Sequence, residues 1–73
     1  MAAKRSLRAG PRQREVLSLV ARGCTDSQIA VELRISVATV RTYLARVYRD
    51  NRFANRTEAA IAWLEAVKGA EGS

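Results

Sequence analysis

The sequence has no histidine, one cysteine and one proline in 73 residues. This excludes a zinc site of the Cys₂His₂ or Cys₄ kind and a disulfide framework. The missing histidine also removes the usual general base, and we find no glycine-rich phosphate loop and no spaced pair of carboxylates. We therefore expect no enzyme, no cofactor and no metal site. The single thiol, Cys24, fits a reducing compartment.

Long hydrophobic runs and aromatic side chains are also scarce. The longest apolar run is far below the roughly 20 residues that span a bilayer, and the basic first residues lack the apolar run of a signal peptide. We therefore expect a cytoplasmic protein with no membrane partner. Aromatic residues make up 5% of the chain, too few for a surface on which single-stranded bases stack.

The length allows one small domain, and the 48% hydrophobic content favours folding over disorder. A chain of 73 residues has no room for a small-molecule pocket or a phosphoacceptor domain beside it. We therefore expect no small-molecule ligand, and either a small stand-alone protein or the C-terminal piece of a longer chain.

Positive charge is abundant but unevenly placed. Residues 1–56 hold twelve basic and four acidic residues, a net charge of +8, whereas residues 57–73 have a net charge of −2. Eleven of the thirteen basic residues are arginine, whose planar fork suits phosphate and guanine. One interpretation is a solvated basic surface or a bias in composition. The other is a surface for a polyanion on the first three quarters of the chain.

Turn and cap residues divide the chain into four predicted helices, so the fold class is all-α. Each helix begins at a residue suited to an N-terminal cap: Gly10, Thr25, Ser36 and Thr57. Gly23 ends the first helix, the third runs from Val37 to Arg49, and the fourth from Glu58 to Val67. We expect a domain over residues 10–68, a flexible basic arm over 1–9 and a disordered tail over 69–73.

The second and third predicted helices are separated by only a few residues, which is typical of a helix-turn-helix motif. In that motif the second helix of the pair lies in the major groove of double-stranded DNA. Val40, Leu44 and Val47 share the face that would hold this helix to the body. The opposite face carries the candidate base contacts, which are Arg41, Thr42, Ala45 and Arg46. Arginine pairs with guanine, threonine offers a hydroxyl or a methyl group, and a small alanine lets the backbone approach the bases.

Candidate phosphate contacts lie around the starts of the same two helices and at arginines near them. A helix N-terminus presents unpaired N–H groups and the positive end of the helix dipole. The candidates are Thr25, Ser36, Thr39, Arg49 and Arg22. Each has a simpler alternative: a threonine or serine can act only as a cap or bond its own helix, and surface arginines can pair with acids, as Arg46 could with Asp50.

The fourth predicted helix has an apolar stripe of its own. Ala60, Trp63, Leu64 and Val67 recur at helical spacing in the segment where the net charge is negative. We expect Ala60, Trp63 and Val67 to meet a second copy of the chain while Leu64 closes the core. The alternative is that all four pack inward.

Together these residues resemble the LuxR-type DNA-binding domain, the GerE or NarL/FixJ-like family. The segment from Pro11 to Glu65 matches that pattern, with a specific core that reads I-A-x-x-L-x-I-S-x-x-T-V. The residues in register are Arg12, Glu15, Val16, Leu17, Gly23, Thr25, Ile29, Ala30, Leu33, Ile35, Ser36, Thr39, Val40, Arg41, Arg56, Thr57 and Ala59. The resemblance implies four helices, a third that reads DNA and a fourth that pairs two subunits. It also implies base contacts at the positions of Arg41, Thr42 and Ala45, and a location at the bacterial nucleoid.

The chain departs from the family pattern at several positions. Gln13 replaces a usual Glu, Gly10 a capping Thr, and Tyr43 a frequent His, and Asp50-Asn51 stands where the family has Lys-Leu. The start of the first helix and the segment from Ile35 to Val40 are also similar to region 4 of a sigma factor.

Two hypotheses follow. The first is a sequence-specific DNA-binding transcription regulator that acts as a homodimer. The alternative is a protein-interaction module of the same fold, which binds another regulator or RNA polymerase. The acid and the amide at Asp50-Asn51 motivate this alternative.

Overall fold

A computed structural model describes residues 7–71, and all its regular structure in that range is helical. The helices are α1 (Pro11–Ala21), α2 (Asp26–Leu33), α3 (Val37–Asn51) and α4 (Arg56–Glu71). α1 packs against α3 and α4, while α2 packs against α3. The predicted all-α helix-turn-helix fold is confirmed. In the described part of the chain, no helix combines the length and the apolar character needed to cross a membrane.

Two residues that depart from the family pattern, Gly10 and Gln13, form the start of α1. The backbone N–H of Gly10 donates to Oε1 of Gln13 at 2.6 Å, so the glutamine caps the helix from inside its first turn. A Cβ atom on residue 10 would lie 2.9 Å from that same oxygen. Glycine therefore leaves the space that the Gln13 side chain uses, and Pro11 follows at the first helical position.

Three of the helices end in the same way. After α1, α2 and α3, one residue takes a positive φ angle, and the next residue donates its N–H to a carbonyl in the last helical turn. The positive-φ residues are Gly23 at 88°, Arg34 at 58° and Arg52 at 58°. The residues that follow them, Cys24, Ile35 and Phe53, are partly buried against the core. These endings reverse the chain sharply and set the short turn between α2 and α3.

The core lies where α1 meets the other helices. Its buried members come from all four helices and are Val16, Leu17, Leu19, Val20, Ile29, Ala30, Val40, Leu44, Val47 and Ala59. Leu33 and Tyr48 are half-buried at its edge. Arg12 joins α1 to the turn before α3, since its guanidinium donates to the carbonyl of Leu33 at 3.1 Å.

The start of α4 differs from the prediction. The helix begins at Arg56, and its cap is Asn55, whose Oδ1 accepts from the backbone N–H of Glu58 at 2.9 Å. Thr57 was the expected cap but lies inside the first turn. Both asparagine and threonine cap helices. A second hydrogen bond favours Asn55 as the cap, because the carboxylate of Glu58 accepts from the N–H of Ala54, directly before Asn55, at 2.6 Å.

Two helices are longer than predicted. α3 continues to Asn51. α4 continues to Glu71, so the tail expected over 69–73 is helical through residue 71. Residues 1–6 and 72–73 lie outside the described part of the chain. In the rest of the expected arm, Leu7 and Ala9 pack against the core.

Asn51 holds this N-terminal segment in place. Its Nδ2 donates to the carbonyl of Arg8 at 2.9 Å, and its Oδ1 accepts from the N–H of Arg8 at 2.8 Å. The same Nδ2 also donates to the carbonyl of Val47 at 2.8 Å. The amide that replaces a family leucine therefore joins the start of the chain to the end of α3.

Candidate nucleic-acid interface

The exposed face of α3 carries the predicted base contacts. Val40, Leu44 and Val47 are buried and attach one side of the helix to the core. The residues on the other side are all exposed: Arg41, Thr42, Ala45, Arg46 and Arg49. Because the buried stripe fixes the rotation of the helix, this face is presented to solvent as one surface, which we call the α3 face.

The start of α3 is held by two hydroxyl groups. Oγ of Ser36 accepts from the backbone N–H of Thr39 at 3.0 Å, and the two side-chain oxygens lie 2.9 Å apart in a hydrogen bond. The capping role predicted for Ser36 is confirmed. Its contact with a phosphate stays a prediction, as does that of Thr39.

The start of α2 is capped in both directions. Oγ1 of Thr25 accepts from the N–H of Gln28 at 3.1 Å, and Oε1 of Gln28 accepts from the N–H of Thr25 at 2.8 Å. This arrangement is a capping box, and the cap predicted at Thr25 is confirmed. Thr25 is exposed, which a phosphate contact requires. Arg22 is exposed at the end of α1, before the turn that leads to α2.

Several side chains of the α3 face already have partners within the chain. Oγ1 of Thr42 donates to the carbonyl of Ala38 at 3.0 Å, so the hydroxyl hydrogen is engaged within its own helix. Nε of Arg49 lies 3.5 Å from Oδ1 of Asp50. Asp50 thus pairs with its neighbour and not with Arg46, the pair that was considered as the simpler alternative to a base contact at Arg46. An exposed pair of this kind stabilises little, so both side chains can exchange partners.

Arg41 has a partner on the preceding helix. Its Nε lies 3.5 Å from Oδ2 of Asp26, the first residue of α2. The other carboxylate oxygen of Asp26 accepts from Nη1 of Arg56 at 2.6 Å, and Nη2 of Arg56 donates to the carbonyl of Cys24 at 2.8 Å. Asp26 therefore stands between two arginines from two other helices.

Tyr48 lies beside this group at the edge of the core. Burial raises the pKa of its phenol above the usual range, the positive charge of Arg56 lowers it, and the negative charge of Asp26 raises it further. The net direction is upward. The phenol is therefore neutral at neutral pH.

The outer face of α4 differs from the prediction. Ala60 and Trp63, expected to meet a second copy, are partly buried against the core of their own chain. Val67 is half-buried. Leu64, expected to close the core, is 55% exposed and Ile61 is 51% exposed. The apolar residues of α4 are distributed around most of its circumference, so their spacing in the sequence does not predict which side packs inward.

Comparison with known proteins identifies the family. The model of the bacterial regulatory proteins of the luxR family matches residues 10–63. The chain belongs to this family. Residues 10–63 include all of α1, α2 and α3 and the first half of α4, so the match covers the whole helix-turn-helix motif.

Relatives of this LuxR-family domain are regulators by name. The probable HTH-type transcriptional regulator GfsR of Streptomyces halstedii is 37% identical over 81% of the chain and 24% of its own length. The two-component response regulator PprB of Pseudomonas aeruginosa is 46% identical over 71% of the chain and 19% of its own length. The nitrate/nitrite response regulator protein NarL of Escherichia coli is 33% identical over 70% of the chain and 24% of its own length.

The chain thus spans a quarter or less of the length of these three relatives. No solved structure matches it.

The sequence analysis of this LuxR-family domain did not predict the contacts of three residues near the α3 face: Asp26, Arg56 and Asn51. Asp26 and Arg56 lie 30 positions apart, and only the fold brings them together. Arg56 is one of the positions in register with the family, which was the available signal. Asn51 contacts a residue 43 positions away, and it stood out only as a departure from the family pattern.

Proposed function

We propose that the chain is the sequence-specific DNA-binding domain of a bacterial transcription regulator, acting at the nucleoid, with α3 in the major groove of double-stranded DNA. The observation that carries the proposal is the α3 face: three arginines around the small Ala45, all exposed, on a helix fixed by a buried stripe. The family match and the regulator names of the relatives support it.

In the proposed complex the residues have separate tasks. Arg41, Thr42, Ala45 and Arg46 lie against base edges, where arginine can pair with guanine and the methyl group of threonine can contact thymine. Thr25, Ser36, Thr39, Arg22 and Arg49 contact phosphates. Those contacts fix the position of the protein on the duplex but carry no sequence information.

The test separates these two tasks. A pool of randomised duplexes is selected on the wild-type domain, and the affinity of the preferred duplex is measured by fluorescence anisotropy at several salt concentrations. Arg41→Ala is expected to lower discrimination by about 1–3 kcal/mol at a single base pair. Arg49→Ala is expected to weaken binding to all sequences alike and to reduce the slope of log K against log salt by about 1.

Arg14→Ala is the matched control, because it removes one positive charge from α1, whose exposed Arg14 donates to the carbonyl of Ala9 and lies outside the α3 face. It should change neither the discrimination nor the slope beyond a small general loss. A wild-type domain that binds every duplex equally well would contradict the proposal.

We further propose that two copies pair through α4. The support is the exposed apolar pair of Ile61 and Leu64, which lie one helical turn apart on a segment of low net charge. Val67 follows at the same spacing and can extend the contact. Ala60 and Trp63 would then support this face from beneath. A two-fold pair of domains matches a DNA site made of two half-sites.

The protein-interaction module, with another regulator or RNA polymerase as partner, was motivated by Asp50-Asn51. Asn51 has a structural task in holding Arg8, and Asp50 pairs with Arg49. Both residues are thereby accounted for within the chain, and no further observation favours the module over the DNA-binding domain.

A further inference from the structure

Asp26 is the half-buried carboxylate next to the α3 face, and its position is fixed from two sides. It occupies the first position of α2, where the helix dipole favours a negative charge. Arg56 holds Oδ1 at 2.6 Å and is itself held by the carbonyl of Cys24 at 2.8 Å. The Asp26 side chain is 24% exposed. Its Oδ1 atom pairs with Arg56, whereas its Oδ2 atom faces Arg41.

Arg41 is held by one edge only. Its side chain is 71% exposed, and the atom nearest to Asp26 is Nε, at 3.5 Å from Oδ2. The guanidinium carries its five N–H donors in a fixed fork. A carboxylate at the Nε edge leaves the terminal Nη1 and Nη2 groups for another partner, and a guanidinium can pair bidentately with guanine O6 and N7.

We propose that Asp26 is a specificity-determining positioning residue, which orients the guanidinium of Arg41 so that its Nη end is directed at a guanine in the major groove. This inference rests on the proposed function. Asp26 itself touches no base. It restricts the orientations of a long, exposed side chain before DNA arrives, so that less freedom is lost on binding.

The charge of Asp26 has a second consequence of opposite sign. A carboxylate beside the interface repels phosphate, so it weakens binding to DNA of any sequence. A positioning role therefore predicts that loss of this charge lowers discrimination and at the same time strengthens binding to random DNA. A role confined to the stability of the fold predicts neither, because a loosened domain binds all duplexes less well.

The experiment compares wild type with Asp26→Asn, Arg41→Ala and the double variant on duplexes selected from a randomised pool. Each base pair of the selected duplex is replaced in turn. Asp26→Asn is expected to lose about tenfold in discrimination at the same base pair at which Arg41→Ala does, and to bind random duplexes more tightly. In the double variant, the change at Asp26 should alter the discrimination at that base pair no further.

Thermal unfolding of each variant controls for the fold, since the asparagine can still accept from Arg56. Asp26→Glu provides a second variant that keeps the charge but moves the carboxylate, and it should also lose discrimination at this base pair while gaining no affinity for random DNA. Unchanged discrimination in both variants, or an equal loss at every base pair, overturns the inference while the proposed function stands. A wild-type domain without sequence preference overturns both.

Discussion

Single side chains determine the properties of the α3 face, through contacts that join different helices. Asp26 and Tyr48 show this most clearly, because each lies between α2, α3 and the start of α4. Their charges affect one another through Arg56, which donates to the carboxylate and lies close enough to the phenol to lower its pKa.

The raised pKa of Tyr48 gives stability a pH dependence in the alkaline range. Burial makes ionisation of the phenol harder in the folded state than in the unfolded state. The contribution is fully present below the ordinary tyrosine pKa of about 10 and is lost as the pH rises through the higher folded value. We expect the free energy of unfolding of wild type to fall, relative to Tyr48→Phe, only above about pH 10. Urea titrations across that range would measure it.

The two proteins should have parallel profiles at lower pH, since the phenol is neutral in both states there. If the profiles stay parallel up to the highest pH at which the domain folds, burial does not control this phenol.

At the scale of the helices, caps determine where each element begins. Ser36 is predictable from the sequence because it is the only cap-forming residue directly before its apolar stripe. Thr25 is predictable because Gln28, three positions later, completes a capping box with it. The start of α4 is not, because Asn55 and Thr57 stand two positions apart and both types cap helices. The choice between them depends on the hydrogen bond of Glu58 to the backbone of Ala54.

A pair of variants tests the register of α4. Asn55→Ala removes the acceptor for the N–H of Glu58 and should lower the free energy of unfolding by about 1 kcal/mol. Thr57→Ala is the matched control and should cost much less, because Thr57 is exposed within the first turn. Urea denaturation of the two variants gives the comparison, and the reverse order of stabilities would place the start of α4 at Thr57.

The link between α3 and the N-terminal segment belongs to the same scale. The three hydrogen bonds of Asn51 hold the backbone at Arg8 beside the end of α3. In Asn51→Leu, which restores the family residue, hydrogen exchange at the Arg8 amide should be about tenfold faster, because that amide loses its acceptor. NMR-detected exchange measures this directly.

Asp50→Ala is the control for this prediction, since Asp50 pairs with Arg49 and does not contact the segment. Equal exchange rates at Arg8 in wild type and Asn51→Leu would mean that packing of Leu7 and Ala9 alone orders the segment.

Helix number, the rotation of α3 and three of the four starts were predictable because each depends on residues close together in the sequence. The pairing of Asp26 with Arg41 and Arg56, and of Asn51 with Arg8, was not, because these contacts join distant positions. The outward face of α4 also escaped prediction. Its apolar residues include Ala59 on one side and Ile61 and Leu64 on another, and only packing against α1 distinguishes the two sides.

For the whole molecule, the central question is whether two domains act together. A domain of about 60 residues buries only about 60% of the surface that its unfolded chain exposes, a smaller fraction than in larger domains, so a second copy would add stability that the core alone does not supply. The exposed Ile61 and Leu64 are the apolar residues of α4 available for that contact.

Leu64→Glu tests the proposed dimer. A charge in the centre of an apolar contact between two copies should shift the protein to monomer in sedimentation velocity, and should weaken binding to a duplex with two half-sites more than to one half-site. Val31→Glu is the matched control, because Val31 is also an exposed apolar residue, at 79%, but lies on α2. A wild-type domain that stays monomeric with and without a two-site duplex would contradict the dimer.

The arginines that end α2 and α3 have a consequence for engineering. Arg34 and Arg52 adopt φ angles of 58°, a backbone conformation that costs a side-chain-bearing residue roughly 1–2 kcal/mol and glycine almost nothing. The first helix, by contrast, ends on a glycine. Replacing both arginines by glycine would therefore make the domain more stable, but it would remove two of the positive charges that attract a polyanion. Stability and affinity for a polyanion therefore oppose each other at these two positions, and an engineered variant that gains one loses part of the other.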